Sequence, residues 1–140
     1  MSKLITTTLT CAALMALTGC GGGSGDKSTT AKADPAQQAQ QDADAKSNAR
    51  NLVSQIESCY VDYGSYEQCG LAGDGSVDGQ DTGLGDAAAS LTTETSAQGY
   101  LVTSKSDSGN SFSIGKVDGG AIERHCITKG EGGCPASGTW

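Results

Sequence analysis

The stretch QDADAKSNARNLVSQIESCYVDYG, residues 41–64, decides the fold because its apolar residues recur at helical spacing. Stepping by three or four, small or apolar side chains form one stripe: Ala45, Ala49, Leu52, Val53, Ile56, Cys59, Tyr60 and Tyr63. Polar residues such as Asp42 and Lys46 fall mostly off it. This pattern predicts an amphipathic helix. Gly64 is its expected stop, and a proline tolerated in a first turn places its start near Pro35.

Three short runs in the last third of the chain predict a sheet. They are GYLVTSK (99–105), NSFSIGK (110–116) and AIERHCI (121–127), all rich in β-forming residues. The connecting segments SDSG and VDGG suit hairpin turns. A three-stranded meander with one apolar face is not stable alone. The sequence therefore predicts an α+β domain in which one long amphipathic helix packs on a three-stranded antiparallel meander.

Alternation along the strands indicates which residues meet the helix. Phe112 and Ile114 share one face of the predicted sheet, with Ile122 and Cys126 as their expected cross-strand partners. The helix stripe should cover this face. The expected contact joins Leu52, Val53 and Ile56 of the helix to Phe112, Ile114 and Ile122 of the sheet.

Residues 64–96 lack a clear period and predict a long loop, in which DAAASL could form one helical turn. Within it, Asp74, Ser76 and Asp78 precede Gly79, as in the opening of an EF-hand-like calcium loop. The twelfth position is Gly85 instead of glutamate. Two interpretations stay open, a solvated acidic loop and a weak calcium site.

The amino-terminal segment ends its apolar run on Leu17-Thr18-Gly19-Cys20, after a start with Lys3 and with no acid before Asp26. These four residues resemble the lipobox of bacterial lipoproteins. The resemblance implies that residues 1–19 are a removed signal peptide and that Cys20 carries acyl chains such as palmitate. Residues 20–41 would then be a flexible tether, and the protein would lie on the extracytoplasmic side of the cell membrane, anchored through lipid. The alternative is an ordinary secretory signal beside a free cysteine.

Four cysteines remain for the domain: Cys59, Cys69, Cys126 and Cys134. An even set in an exported chain predicts two disulfides, with three possible connectivities. Zinc is the rival interpretation. It is disfavoured because no CxxC spacing occurs and because His125, next to Cys126, would point to the opposite face of a strand.

The segments DADAKSNARNLVSQIESCYVDYGSYEQC and GNSFSIGKVDGGAIERHCITKGEGGCPASGTW resemble the head domain of type IV pilin-like proteins of actinobacterial type. The resemblance covers about residues 42–140, the predicted domain. It implies a pilin-head fold with Cys59–Cys69 pinning the loop to the helix end and Cys126–Cys134 closing the tail. The chain departs from true pilins because it lacks their long apolar amino-terminal helix.

Composition and motifs favour a protein without catalytic activity. The net charge of −7 makes nucleic acid a poor partner. There is no GxSxG motif and no complete phosphate loop, and no cofactor is indicated. The single histidine, His125, is expected to be an exposed strand residue. The preferred hypothesis is a lipid-anchored envelope or surface protein. Its candidate role is that of an accessory of a type IV pilus or secretion system, in contact with pilus or envelope proteins. The alternative is a small ligand- or calcium-binding lipoprotein.

Overall fold

The computed structural model describes residues 34–117 and 119–140. Over these residues the chain is an α+β domain with one long helix and antiparallel strands in two sheets. The elements are α1 Pro35–Tyr63, β1 Ser76–Val77, β2 Gln80–Asp81, a 3-10 helix Gly85–Ser90, β3 Leu91–Thr95, β4 Tyr100–Lys105, β5 Ser111–Lys116 and β6 Ile122–Cys126. The α+β class predicted from the sequence is confirmed.

Local signals set both ends of α1. The Asp34 side chain accepts a hydrogen bond from the Ala36 amide at 3.2 Å, which satisfies one free N–H of the first turn. Pro35 occupies that turn. Gly64 ends the helix with a φ of 69°, a left-handed conformation that glycine adopts without steric cost. The predicted start near Pro35 and stop at Gly64 are confirmed.

The helix begins before the domain boundary expected at residue 42. Residues 35–41, expected in the tether, form the first turns of α1. They are helical because Asp34 caps the helix and because alanine and glutamine are good helix formers. The expected signal peptide 1–19, lipidation at Cys20 and the tether up to residue 33 lie outside the described residues.

The main sheet has four strands in the order β3-β4-β5-β6, each antiparallel to the next. The three predicted runs are β4, β5 and β6. The expected three-stranded meander is corrected by β3, which turns into β4 through a hairpin closed by the Ser96 N–H and the Gly99 carbonyl at 2.9 Å. The threonines of β3 alternate between exposed and half-buried, a pattern typical of a strand with one solvated face.

The core lies between α1 and the middle strands β4 and β5. Leu52 and Ile56 are fully buried in one cluster with Val102 and Ile114. A smaller cluster contains Ala45, Phe112, Cys126 and Cys134. The expected burial of Leu52, Ile56, Phe112, Ile114 and Cys126 is confirmed.

Two expected contacts differ in the structure. Val53 is only partly buried and packs at the border of the core. Ile122 is 47% exposed, so its expected place under the helix is wrong. The physical reason is that α1 lies over β4 and β5, whereas Ile122 begins the edge strand β6.

Two disulfides join neighbouring parts of the chain. Cys59–Cys69 ties α1 to the loop that follows it, and Cys126–Cys134 closes the segment after β6. Both expected disulfides, and the pairing that the resemblance implied, are confirmed. The expected helical turn in DAAASL is present as part of the 3-10 helix.

Candidate functional site: a cationic face around Trp140

The segment after the second disulfide folds back on β6 and fixes Trp140 there. The Cys126 N–H donates to the Gly138 carbonyl at 2.9 Å, and the indole Nε1 of Trp140 donates to the His125 carbonyl at 2.8 Å. The indole ring also meets Phe112 edge-on, with 5.8 Å between ring centroids. These contacts hold the partly exposed ring in one position.

Three cations surround this ring. The guanidinium carbons of Arg50 and Arg124 lie 4.8 Å and 5.9 Å from the indole centroid, and Lys46 Nζ lies 5.6 Å from it. These distances are within the range of cation–π attraction. Lys46 and Arg50 come from α1, whereas Arg124 comes from β6. We call Lys46, Arg50, Arg124 and Trp140 the Trp140 face.

The Trp140 face is positive on an acidic chain. Among residues 34–117 and 119–140, Lys116 forms an ion pair with Glu57 at 3.5 Å, and the His125 imidazole lies 3.2 Å from the Glu123 carboxylate. Neither pair includes a cation of the Trp140 face. Since the whole chain carries a net charge of −7, this face differs in sign from the average surface. Such a local field attracts an anionic partner.

A buried carboxylate, Asp42, fixes the helix end of this face. Its side chain accepts hydrogen bonds from the Ser108 hydroxyl and, at 2.7 Å, from the Gly133 N–H. Lys46 donates to the Gly133 carbonyl. Asp42 thus joins α1 to the β4–β5 turn and to the loop closed by Cys126–Cys134, which leads to Trp140.

The environment of Asp42 favours its ionised form. Burial alone would raise the pKa of this carboxyl. Hydrogen bonds from Ser108, Gly133 and Ser106, with the nearby positive Lys46, outweigh burial and leave the pKa of Asp42 below its ordinary value.

A groove of about 320 Å³ runs beside the Trp140 face along β6. It is lined by Ile122, Glu123, Arg124, His125, Thr139 and Trp140. The expected exposure of His125 is confirmed, since 59% of its side chain is accessible. The groove therefore combines a mixed polar wall with one exposed aliphatic residue, Ile122, and one aromatic residue.

A second polar cluster joins α1 to β4 and β5 at the other end of the helix. Glu57 accepts hydrogen bonds from the Tyr66 and Tyr100 hydroxyls, both at 2.9 Å, and Lys116 donates to the Tyr66 oxygen at 2.8 Å. Burial, followed by the bond to Glu57, raises the pKa of Tyr100. Both phenols are protonated at neutral pH, as ordinary tyrosines are, so their hydroxyls donate to Glu57 and the cluster holds the elements together.

The calcium candidates lie in the β1–β2 hairpin and, for Asp74, just before it, and their side-chain oxygens already have protein partners. Asp74 Oδ1 accepts from the Ser76 hydroxyl at 2.7 Å and from its N–H at 3.0 Å. These bonds lower the pKa of Asp74. Asp78 is directed elsewhere and accepts from the Tyr63 hydroxyl at 2.7 Å. The structure thus pairs Asp74 with Ser76 but not with Asp78, and calcium binding stays a prediction.

The described residues offer no metal cluster or membrane-spanning helix, and known proteins offer no match. In the described part of the chain, no three His, Cys, Asp or Glu side chains are grouped closely enough to hold a metal ion. No helix in that part has the length and apolar character needed to cross a membrane. Comparison with protein-family models, curated proteins and solved structures finds no match to this chain.

Sequence reasoning missed the Trp140 face and Asp42. Lys46 and Arg50 are four residues apart in the helix, a spacing that places two side chains on one side, so this pair was a readable signal. The contribution of Arg124 and Trp140 depends on how the last segment folds back, which no local pattern encodes. The expectation that Asp42 falls off the apolar stripe is wrong: it is buried three residues before Ala45, in step with the stripe. Only its tertiary hydrogen-bond partners explain why a carboxylate is buried there.

Proposed function

We propose that this chain is a lipid-anchored, extracytoplasmic protein without catalytic activity, whose pilin-like head docks on a pilus or envelope protein through the Trp140 face. The observation that carries the docking proposal is a fixed tryptophan ringed by three cations, none of them in an ion pair among the described residues. Tryptophan and arginine are the residue types most enriched where binding energy is concentrated.

Other features support the location and the role. Two disulfides are typical of oxidising, extracytoplasmic compartments. The lipobox-like residues 17–20 suit a membrane anchor. The described polar clusters around Asp42 and Glu57 bind secondary-structure elements to one another, which is a structural use of polar groups. The helix followed by an antiparallel sheet and a disulfide-closed segment agrees with the pilin-head resemblance.

Site-specific photo-crosslinking in the native cells tests this proposal. A photoreactive amino acid replaces Ile122, beside the Trp140 face, or Lys105, an exposed residue of β4 outside that face. We expect a discrete crosslinked product at Ile122, identified by mass spectrometry as a pilus or envelope protein, and none at Lys105. Adding Arg50→Gln should weaken the Ile122 product.

The same experiment distinguishes docking through the Trp140 face from non-specific contact. Equal crosslinking at Ile122 and Lys105, or a product unaffected by Arg50→Gln and Arg124→Gln together, would refute docking through the Trp140 face. Release of the chain from the membrane fraction without lipid would refute the anchored location instead.

A further inference from the structure

Strand β6 has backbone groups that are not used within the sheet. In an antiparallel pair, alternate residues direct N–H and C=O to the same neighbour. The Ile127 N–H donates to the Ser111 carbonyl at 3.2 Å, whereas the Cys126 N–H donates outward to Gly138 at 2.9 Å. By this alternation and the register of β5 with β6, Ile122 and Arg124 direct their backbone groups outward. Within residues 34–117 and 119–140, the backbone bond to this outer edge is the one between Cys126 and Gly138.

The opposite edge of the sheet is partly covered. At β3, the Leu71 N–H donates to the Thr93 hydroxyl at 2.8 Å, and the Thr95 hydroxyl donates to the Glu67 carbonyl at 3.4 Å. The segment 67–71, which contains Cys69, therefore lies along β3. The edge at Ile122 and Arg124 opens instead into the groove of about 320 Å³ that Trp140 borders.

Charge decides which extended segment suits this edge. Arg124 supplies both an outward backbone and a guanidinium of the Trp140 face, and Arg50 lies on the same indole ring. Ile122 and Arg124 lie on the same face of β6 as the buried residue Cys126, because every second residue of a strand shares a face. The helix α1 covers this face at Cys126. An added strand would thus place alternate side chains beside two arginines. Glu123, on the other face, is already paired with His125.

We propose that β6 accepts a short, extended, acidic segment of a partner protein as a fifth strand of the sheet. Main-chain hydrogen bonds to Ile122 and Arg124 supply affinity, and carboxylates beside Arg50 and Arg124 supply selectivity. The segment is short because Gly138 closes the edge at Cys126. This inference rests on the proposed function only in taking the Trp140 face as the docking surface.

The single tryptophan of the chain lies in this site, so its fluorescence reports binding directly. The full chain, purified in detergent, is titrated with the acetylated and amidated peptide TEVEVET. We expect a saturable change in Trp140 emission. The peptide TKVKVKT should cause none, because its lysines face the arginines. Arg124→Gln and Arg50→Gln should each weaken binding by about two- to fivefold, as for exposed ion pairs, and Lys105→Gln should leave it unchanged.

Backbone methylation of the peptide tests strand addition without altering the protein. Alternate N–H groups of a strand point to opposite sides. Only one set of N–H groups, that of the glutamates or that of the valines, can therefore face β6. N-methylation of that set should weaken binding by at least about fivefold, the loss of two or more net hydrogen bonds, and N-methylation of the other set should be tolerated. Equal binding of both methylated peptides, equal binding of TKVKVKT, or no binding of TEVEVET would overturn the proposal. Concentration-dependent self-association through β6 in place of peptide binding would also overturn it. Crosslinking at Ile122 despite such a result would leave the proposed function standing.

Discussion

At the scale of single residues, Asp42 joins three parts of the chain that are distant in sequence. It is fully buried, and its partners are Ser108 in the β4–β5 turn and Gly133 in the disulfide loop. A buried charged group is stable only when its hydrogen-bonding capacity is satisfied. The same residue therefore stabilises the fold and holds the segment that positions Trp140.

We expect Asp42→Asn to lower the free energy of unfolding at pH 7 by about 2–3 kcal/mol, the cost of disrupting a buried charged hydrogen-bond acceptor. Asp44→Asn is the matched control, since Asp44 is exposed two residues further along α1, and it should have little effect. Urea unfolding followed by circular dichroism measures both. Equal stabilities of the two variants would contradict the structural role of Asp42.

The pH dependence of the free energy of unfolding provides a second test of the structural role of Asp42. Because its pKa is lowered in the folded state, ionised Asp42 contributes stability above its unfolded pKa of about 3.9, and this contribution is lost as the pH falls through the lowered folded pKa. We expect the wild-type protein to lose more stability than Asp42→Asn on going from pH 7 to low pH. Parallel pH profiles would contradict this assignment.

At the scale of secondary-structure elements, the contact between α1 and the sheet carries the core. Ile56 is fully buried, whereas Ser54, two residues earlier on the helix, is exposed. We expect Ile56→Ala to cost about 2–5 kcal/mol, as truncations of buried aliphatic side chains do, and Ser54→Ala to be near neutral. Thermal unfolding of the two variants measures the difference. Similar melting temperatures would show that the helix packs through another face.

The sequence predicts these elements to different degrees because the signals differ in range. Periodicity is local, so the stripe through Leu52 and Ile56 predicted α1, and alternation around Phe112 predicted β5 and its neighbours. Strand β3 is made largely of threonine, whose one-sided burial depends on its pairing with β4. The exposure of Ile122 depends on which strands the helix covers, a tertiary property. The Trp140 face is likewise assembled from three separate parts of the chain.

At the scale of the whole molecule, the proposed anchor predicts a chemical change at Cys20. If residues 17–20 act as a lipobox, the purified protein should lack residues 1–19 and carry acyl mass on Cys20. Two or three acyl chains hold a protein stably at a membrane, whereas a single chain does so only marginally. Intact-mass measurement decides the point, and Cys20→Ala should give an unprocessed or released form. An unmodified thiol at Cys20 in the mature protein would refute the anchor.

The same organisation predicts that the protein does not form pili alone. In type IV pilins, long apolar helices are buried together in the core of the fibre. The corresponding part of this chain, residues 21–41, contains a glycine-rich segment at residues 21–25, the charged residues Asp26, Lys27 and Lys32, and Gln37, which is exposed on α1. Burial in a fibre core would desolvate these groups without partners, at about 1–3 kcal/mol each on mutational scales. Electron microscopy of cells that overexpress this chain and lack native pilins should therefore show no filaments labelled along their length by antibody to residues 42–140. Labelling confined to the tips or bases of native pili would agree with an accessory role, whereas continuous labelled filaments in the pilin-deleted cells would show that the head assembles by contacts other than an apolar helical core.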